Sequence, residues 1–208
     1  MLDSLRALAH RARPHTVTVD GLQLLVPPGV LDPVLFRSGA WFARHVARRV
    51  APGQRLLDLG CGSGIVGLLA QRAGARVVSC DLSPRAVEAA KCNGIADARQ
   101  GDLFDAVGAE RFDVICFNPP YFLGEPSDRG FDRALYGGGR LEVLRRFFDG
   151  VGARLRAGGR GWMVLSDRAE AALVLAEEAG WSEETAEVVR GERLSFWCSE
   201  RMGYFVAD

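Results

Sequence analysis

Two clusters of residues have the types and spacing to do chemistry: Asp58, Gly60, Cys61, Gly62 and Gly64 in one stretch, and Asn118-Pro119-Pro120-Tyr121 in another. In the first, the apolar run Leu56 to Leu59 reads as a buried strand and Ile65 to Ala70 as the opening of a helix, with side-chain-free turn positions between them. Bare backbone at a helix start lets a ligand lie against the peptide while unpaired N–H groups and the positive dipole end face it. In the second, two prolines directly after the apolar run Phe112 to Phe117 stop a strand ladder and hold the backbone extended. The Asn118 amide and Pro119 carbonyl can then point off the strand's carboxyl end, where ligands bind in an open parallel sheet. A structural turn can also contain Asn-Pro-Pro.

Gly62-Ser-Gly-Ile-Val-Gly67 matches the dinucleotide pattern G-x-G-x-x-G, yet Gly60-Cys61 intervene after the strand and Asp58 sits at its end. An acid there suits a ligand bearing an ammonium group better than a pyrophosphate. The whole of D-x-G-x-G-x-G resembles motif I of the class I S-adenosylmethionine (SAM) dependent methyltransferases. That resemblance puts the loop against the methionine part of SAM and the acid near its amino group; a nicotinamide or flavin nucleotide is the alternative. Asp81, followed by Leu82, closes a second strand, Arg76 to Cys80, and is placed to accept hydrogen bonds from ribose hydroxyls of either cofactor. Asp102 and Leu103 offer an acid for an adenine amino group and an apolar cover for its ring; a helix N-cap is the competing role for Asp102.

Around these clusters the chain alternates strands and helices. Thr16 to Val26 alternates about Asp20-Gly21, a hairpin signal, and Pro27-Pro-Gly29 ends the pairing. Trp41, Phe42, Val46 and Val50 repeat at helical spacing from Ser38 or Gly39 onward, with Arg44, His45, Arg48 and Arg49 on the other face and His45 expected at the surface. Ser83 and Pro84 form an N-cap and N1 pair, the helix running out near Asn93-Gly94, and Ala98 to Gln100 is a short third strand. Tyr121 to Gly139, rich in Gly, Asp and Arg, reads as a substrate-facing loop. A helix from Leu141 ends at Gly158-Gly159, Gly161 to Ser166 is a fifth strand, and Ala169 to Ala179 is a helix. Late strands over Leu194 to Cys198 and Gly203 to Val206 pair antiparallel. The fold class is α/β: a Rossmann-like, seven-stranded, mostly parallel sheet with helices on both faces, residues 31–208, preceded by a small hairpin and helix extension over residues 1–30.

Composition bounds the function. At 208 residues one packed domain is expected. With 26 basic and 26 acidic residues the net charge is zero, so no global field marks a polyanionic partner. Lys91 is the only lysine, a bias toward arginine that fits a GC-rich genome. Cys61, Cys80, Cys92, Cys116 and Cys198 are odd in number, form no C-x-x-C pair and imply reduced thiols with no metal site. No run approaches a membrane span and Met1 to Pro14 lacks a signal core, so the cytoplasm is expected.

Asn118-Pro-Pro-Tyr121 resembles motif IV of methyltransferases that modify a planar nitrogen, a glutamine amide or a nucleobase amino group. Together with Leu56 to Gly64, Asp81, Gly101 to Phe104 and Val26 to Val30, it resembles the HemK-like (release-factor glutamine) methyltransferase family over roughly Val17 to Asp167. The resemblance implies a catalytic Asn118 and Pro119, a Tyr121 packed on the flat substrate group together with Pro120, SAM as cofactor, and a release factor as substrate. Only about 30 residues precede the core, unlike bacterial members with an N-terminal helical domain, and Arg37-Ser38 replaces the family's acidic Glu/Asp-Thr/Ser pair. That looks like the short branch whose members work with a small activator subunit, or like a recruit to another substrate. A nucleic-acid amino-methyltransferase, with Arg6, Arg11, Arg13, Arg44, Arg48 and Arg49 as a basic track, a small-molecule methyltransferase lidded by Phe122 to Arg140, and an NAD-dependent oxidoreductase are the alternatives.

Overall fold

A computed structural model describes residues 13–127, 132–189 and 191–199. It begins with a hairpin of β1 (His15–Val19) and β2 (Leu22–Val26). Asp20 and Gly21 have φ values of 49° and 75°, the left-handed pair that a tight two-residue hairpin turn needs. Then follow α1 (Arg37–Arg49), β3 (Arg55–Leu59), α2 (Ile65–Arg72), β4 (Arg76–Asp81), α3 (Pro84–Cys92), β5 (Ala98–Gln100), β6 (Phe112–Phe117), α4 (Glu142–Arg154), β7 (Leu155–Ser166), α5 (Glu170–Glu178), β8 (Trp181–Val189) and β9 (Glu192–Ser199).

The seven strands from β3 onward form one sheet in the order β5-β4-β3-β6-β7-β9-β8. Pairs from β5 to β7 are parallel, whereas β9 runs antiparallel to both β7 and β8. Chain direction across the sheet reverses at β3: β4 lies on one side and β6 on the other. The crevice at the carboxyl ends of β3 and β6 is therefore the topological switch point, and Asp58 and Asn118 lie at its edge.

The strands are apolar on both faces because both are covered. Leu56, Val77, Val114, Val164 and Phe196 pack with Trp41, Phe42 and Val46 of α1 and with Val66 and Leu69 of α2. The alternate positions Leu57, Val78, Ile115, Met163 and Trp197 pack with Leu144, Phe147 and Val151 of α4 and Ala172 and Leu175 of α5. Gly67 lets α2 close onto the sheet: a Cβ there would lie 2.9 Å from Ser79 Oγ and 3.0 Å from Val77 Cγ1.

The sequence places most of these elements, with four differences. The helix expected to end at Gly158-Gly159 stops at Arg154, because Leu155 turns into the core and pairs with Phe112; the two glycines fall in a register shift between β6 and β7. Ser83 precedes Pro84 as predicted, but its side chain makes no capping bond. His45 is half-buried rather than a surface residue, its ring centroid 4.0 Å from that of Trp41, and this burial lowers its pKa. The antiparallel partners of β9 are β7 and β8, and β8 is mostly exposed and polar and so carries no apolar alternation. The expected strand Gly203 to Val206 lies outside the described residues, as do Met1 to Ala12 of the N-terminal helix or tail.

Asn93, just past α3, ties the hairpin to the sheet. Its Oδ1 accepts the Leu25 N–H at 2.7 Å, and its Nδ2 donates to the carbonyls of Leu25 and Ser63 at 3.0 and 2.9 Å. One side chain thus satisfies buried backbone on β2 and on the glycine loop. Asn93→Ala leaves these groups unpaired, a cost of about 1–3 kcal/mol, and is expected to lower the thermal midpoint and weaken cofactor binding together; calorimetry and a binding titration check it.

Candidate functional site

At the switch point a cavity of about 460 Å³ opens between the glycine loop, the segment Gly29 to Gly39 and the end of β6. Its volume lies within the range of small-molecule sites, roughly 300–1,000 Å³. Asp58, Gly60, Cys61, Gly62, Asp81, Leu82, Asp102, Leu103, Asn118 and Pro120 all line it. Gly60, Gly62 and Gly64 take φ values of 62°, 54° and 86°, left-handed conformations that let the loop bend sharply into α2.

Asp58 is 2% exposed and accepts one hydrogen bond, from the Gly67 N–H at 3.1 Å. Burial pushes its carboxyl up to about 7, the Gly67 bond opposing and the neighbouring Asp81 reinforcing the shift. Asp81 accepts the Gly62 N–H at 2.9 Å and the Ser83 N–H at 2.8 Å, which orients both oxygens, while burial raises its pKa. Two acids facing one cavity disfavour a pyrophosphate and favour a ligand carrying positive charge. The donor set therefore fits SAM, with its ammonium and sulfonium centres, and not the dinucleotide alternative.

The other end of the cavity differs in detail from expectation. Asp102 stands at the N-cap position of a 3-10 turn, Leu103–Ala106, without a capping bond; one of its oxygens accepts from Arg146 Nη1 at 3.0 Å. Leu103 holds φ at 49°, a strained value for an apolar side chain that turns it into the cavity wall beside exposed Leu82. Cys61 is a buried thiol with its pKa raised well above the usual value by burial, and it lines the site as part of the loop rather than as a nucleophile.

A second cavity, about 320 Å³, adjoins the first and shares Leu31, Phe36, Ser38, Asn118 and Ala134 with it. Pro119, Tyr121 and Phe122 line only this second space, whereas Pro120 lines only the first. Asn118 stands at the threshold, its Nδ2 donating to Ser38 Oγ at 3.5 Å. Tyr121 lines the second cavity together with Ser38, and burial pushes its hydroxyl pKa upward, so it stays protonated. The loop after Tyr121 folds back: Phe122 N–H donates to Leu135 O at 3.0 Å and Gly137 N–H to Phe122 O at 2.9 Å. Gly137 itself lies so close to the Pro120 carbonyl that a Cβ would clash with it.

Sequence reasoning did not find Ser38 as a contact of Asn118, nor Phe36, Arg168, Glu192 and Leu194 as cavity walls. The position of Ser38 stood out as a departure from a family pattern, but nothing local tied it to Asn118, 80 residues away. Among the described residues no group of His, Cys, Asp and Glu could hold a metal ion, and no helix is long and apolar enough to cross a membrane.

A seven-stranded sheet of this order with a cation-favouring cavity at its switch point defines a class I SAM-dependent methyltransferase domain. Residues 37–190 match the family model described as Methyltransferase small domain, and the chain belongs to that family. A release factor glutamine methyltransferase of Xylella fastidiosa is 35% identical over 149 residues, covering 62% of this chain and 54% of the relative. A ribosomal RNA small subunit methyltransferase C of Salmonella choleraesuis is 31% identical over 144 residues, covering 62% and 42%. The chain thus spans about half the length of the curated relatives it matches. Among solved structures, a T. thermophilus 16S rRNA N2 methyltransferase in complex with AdoMet and guanosine superposes with a TM-score of 0.64 at 24% identity, covering 91% of this chain and 50% of that one. A Pyrococcus furiosus methyltransferase gives 0.63 at 19% identity, covering 95% and 94%.

Two outcomes are expected for the cofactor site. Because a cationic ligand in the cavity that Asp58 lines favours its ionised form, SAM affinity should rise as pH increases through about 7; ligand-free stability should fall over the interval from the ordinary carboxylate value to about 7. Asp58→Asn should flatten the binding profile, measured by calorimetric titration at several pH values. Asp81→Ala should weaken SAM binding by about tenfold or more, since bonds to a charged acceptor contribute roughly 1.5–3 kcal/mol; equal affinity would mean that Asp81 does not contact the ribose.

Proposed function

We propose that the chain transfers a methyl group from SAM to a planar amide or amino nitrogen, and that this nitrogen is the side-chain amide of a protein glutamine, as in a release factor. The observation that carries the reading is the place of Asn118, at the threshold between a cofactor-sized cavity and a second cavity lined by Pro119 and Tyr121.

Such a nitrogen is a poor nucleophile because its lone pair is delocalised. Asn118 Oδ1 and the Pro119 carbonyl would accept its two N–H hydrogens, aim the lone pair toward the cofactor side, and bind more tightly as positive charge develops on nitrogen. When bound, SAM supplies an electrophilic methyl group. In-line placement contributes up to about 7–11 kcal/mol in favourable cases. No general base is needed before transfer. Tyr121 and Phe122, ring centroids 4.9 Å apart, would flank the flat group. On this reading Asp58, Gly60, Cys61, Gly62 and Gly64 hold the methionine end, Asp81 and Leu82 the ribose, and Asp102 and Leu103 the adenine, residues 31–208 acting as the methyltransferase domain and residues 1–30 as its extension. A small activator subunit is compatible with it.

The glutamine assignment draws on the 35% identical relative and on the fate of the basic track. Arg44 pairs with Asp20 at 2.8 Å, and Arg49 lies over the Phe196 ring and near Glu184. Arg48 is ten residues beyond Ser38 on α1, about 15 Å along the helix, and Arg6 and Arg11 lie outside the described residues. A second reading, an RNA guanine amino group, is favoured by Arg37 and Arg168 on the wall of the second cavity and by the rRNA-modifying relative.

Methyl transfer from labelled SAM into a cell extract, followed by separate protease and nuclease digestion, tests the assignment. Label released by protease is expected; label released by nuclease would overturn the glutamine assignment in favour of the nucleobase. Asn118→Ala is expected to keep SAM affinity and lose at least about a hundredfold in turnover. A large loss of SAM affinity instead would contradict its role.

A further inference from the structure

Ser38 is the second residue of α1 and lines both cavities. Its Oγ is 3.5 Å from Asn118 Nδ2. A hydroxyl has one proton to donate and lone pairs to accept with. Those lone pairs face the Asn118 amide N–H. The backbone of α1 comes close behind this contact: a Cβ on Gly39 would sit 3.8 Å from Asn118 Nδ2, ordinary van der Waals distance. The serine is therefore carried to the amide by a packed helix, buried through Ala40, Trp41, Phe42, Ala43 and Val46.

We propose that Ser38 is a positioning residue that sets the rotation of the Asn118 amide, holding Nδ2 on the helix side so that Oδ1 faces the methyl acceptor. The proposal rests on the N-methylation reading given above. An amide has an accepting end and a donating end of nearly the same size, and a half-turn about its last torsion exchanges them. With Nδ2 toward the acceptor, N–H would oppose N–H, and the Pro119 carbonyl would be left as a single acceptor. An acceptor behind Nδ2 removes that degeneracy before the substrate arrives, so the orientation need not be purchased from binding energy.

The test compares the wild-type chain with Ser38→Ala, Ser38→Thr and Asn118→Ala, using methyl-labelled SAM and the same cell extract as acceptor. Initial rates are followed against SAM concentration, and SAM affinity is measured separately by calorimetry. Ser38→Ala is expected to lower the rate at saturating SAM by about tenfold or more with SAM affinity within about twofold of wild type. Ser38→Thr, which keeps the hydroxyl, should recover most of that rate. If Ser38→Ala lowers the melting temperature markedly, Ser38→Cys, close in size and a weak acceptor, should show the same loss. Wild-type turnover in Ser38→Ala beside an inactive Asn118→Ala would overturn the positioning role and leave the N-methylation reading standing. A loss in Ser38→Ala confined to SAM affinity, or no recovery in Ser38→Thr, would overturn it as well. Turnover retained in Asn118→Ala would overturn the N-methylation reading itself.

Discussion

A carboxyl group sealed at the centre of the sheet is the constraint on which the rest of the site depends. Asp58 sits on β3, the strand at which the sheet changes direction, and its one hydrogen-bond donor among the described residues is the Gly67 backbone. A buried acid with so little compensation is costly when charged, and its raised pKa is the expression of that cost. The cost turns into selectivity: a cationic ligand in the adjoining cavity relieves it, and an anionic one cannot. Gly67 serves both sides of this arrangement, since the same missing side chain that lets α2 approach β4 puts its N–H within reach of Asp58.

The loop between β3 and α2 is held from two directions, by β4 and by the residue beyond α3. The Gly62 N–H is taken by Asp81 from β4, the Cys61 N–H by the Cys80 carbonyl at 3.0 Å, and the Ser63 carbonyl by Asn93 beyond α3. Two of these contacts come from β4 and the third from beyond α3. Through Asn93 the same network reaches β2, so the N-terminal hairpin is bound to the cofactor loop rather than merely appended to it. The segment after the hairpin is tied back to it: buried Asp32 accepts from the Val34 N–H at 2.8 Å and lies 2.8 Å from Nε2 of His15 on β1. That anchor places Leu31, Pro33 and Phe36 as walls of the cavity.

Two spaces that meet at one amide give the site its direction. The first is walled by acids and loop backbone, the second by Phe36, Tyr121, Phe122, Leu135 and Leu194, and Asn118 belongs to both. Prolines on either side of the threshold face different cavities, a consequence of extended backbone in which successive residues point opposite ways. Beyond Tyr121, Gly124 and Gly138 exchange backbone hydrogen bonds at 3.1 Å.

The sequence by itself determined the fold class and most of the loop and strand-end residues that line the first cavity, because both depend on local signals. Apolar runs of strand length, glycines at left-handed positions and an acid at each strand end are written within a few residues of one another, and β3, β4, β6 and α2 appear where those signals place them. Local signals failed where neighbours distant in sequence decide the outcome. Strand β8 is polar because only one edge and part of one face are covered, so its pairing with β9 supplies what its composition does not. Leu155 leaves its helix because the core offers it a place beside Phe112. Only the tertiary structure brought Ser38 to Asn118, and only it divided the crevice into two cavities, since both depend on residues far apart in sequence, among them Leu31, Ser38, Asn118, Tyr121, Val189 and Leu194, meeting at one edge of the sheet.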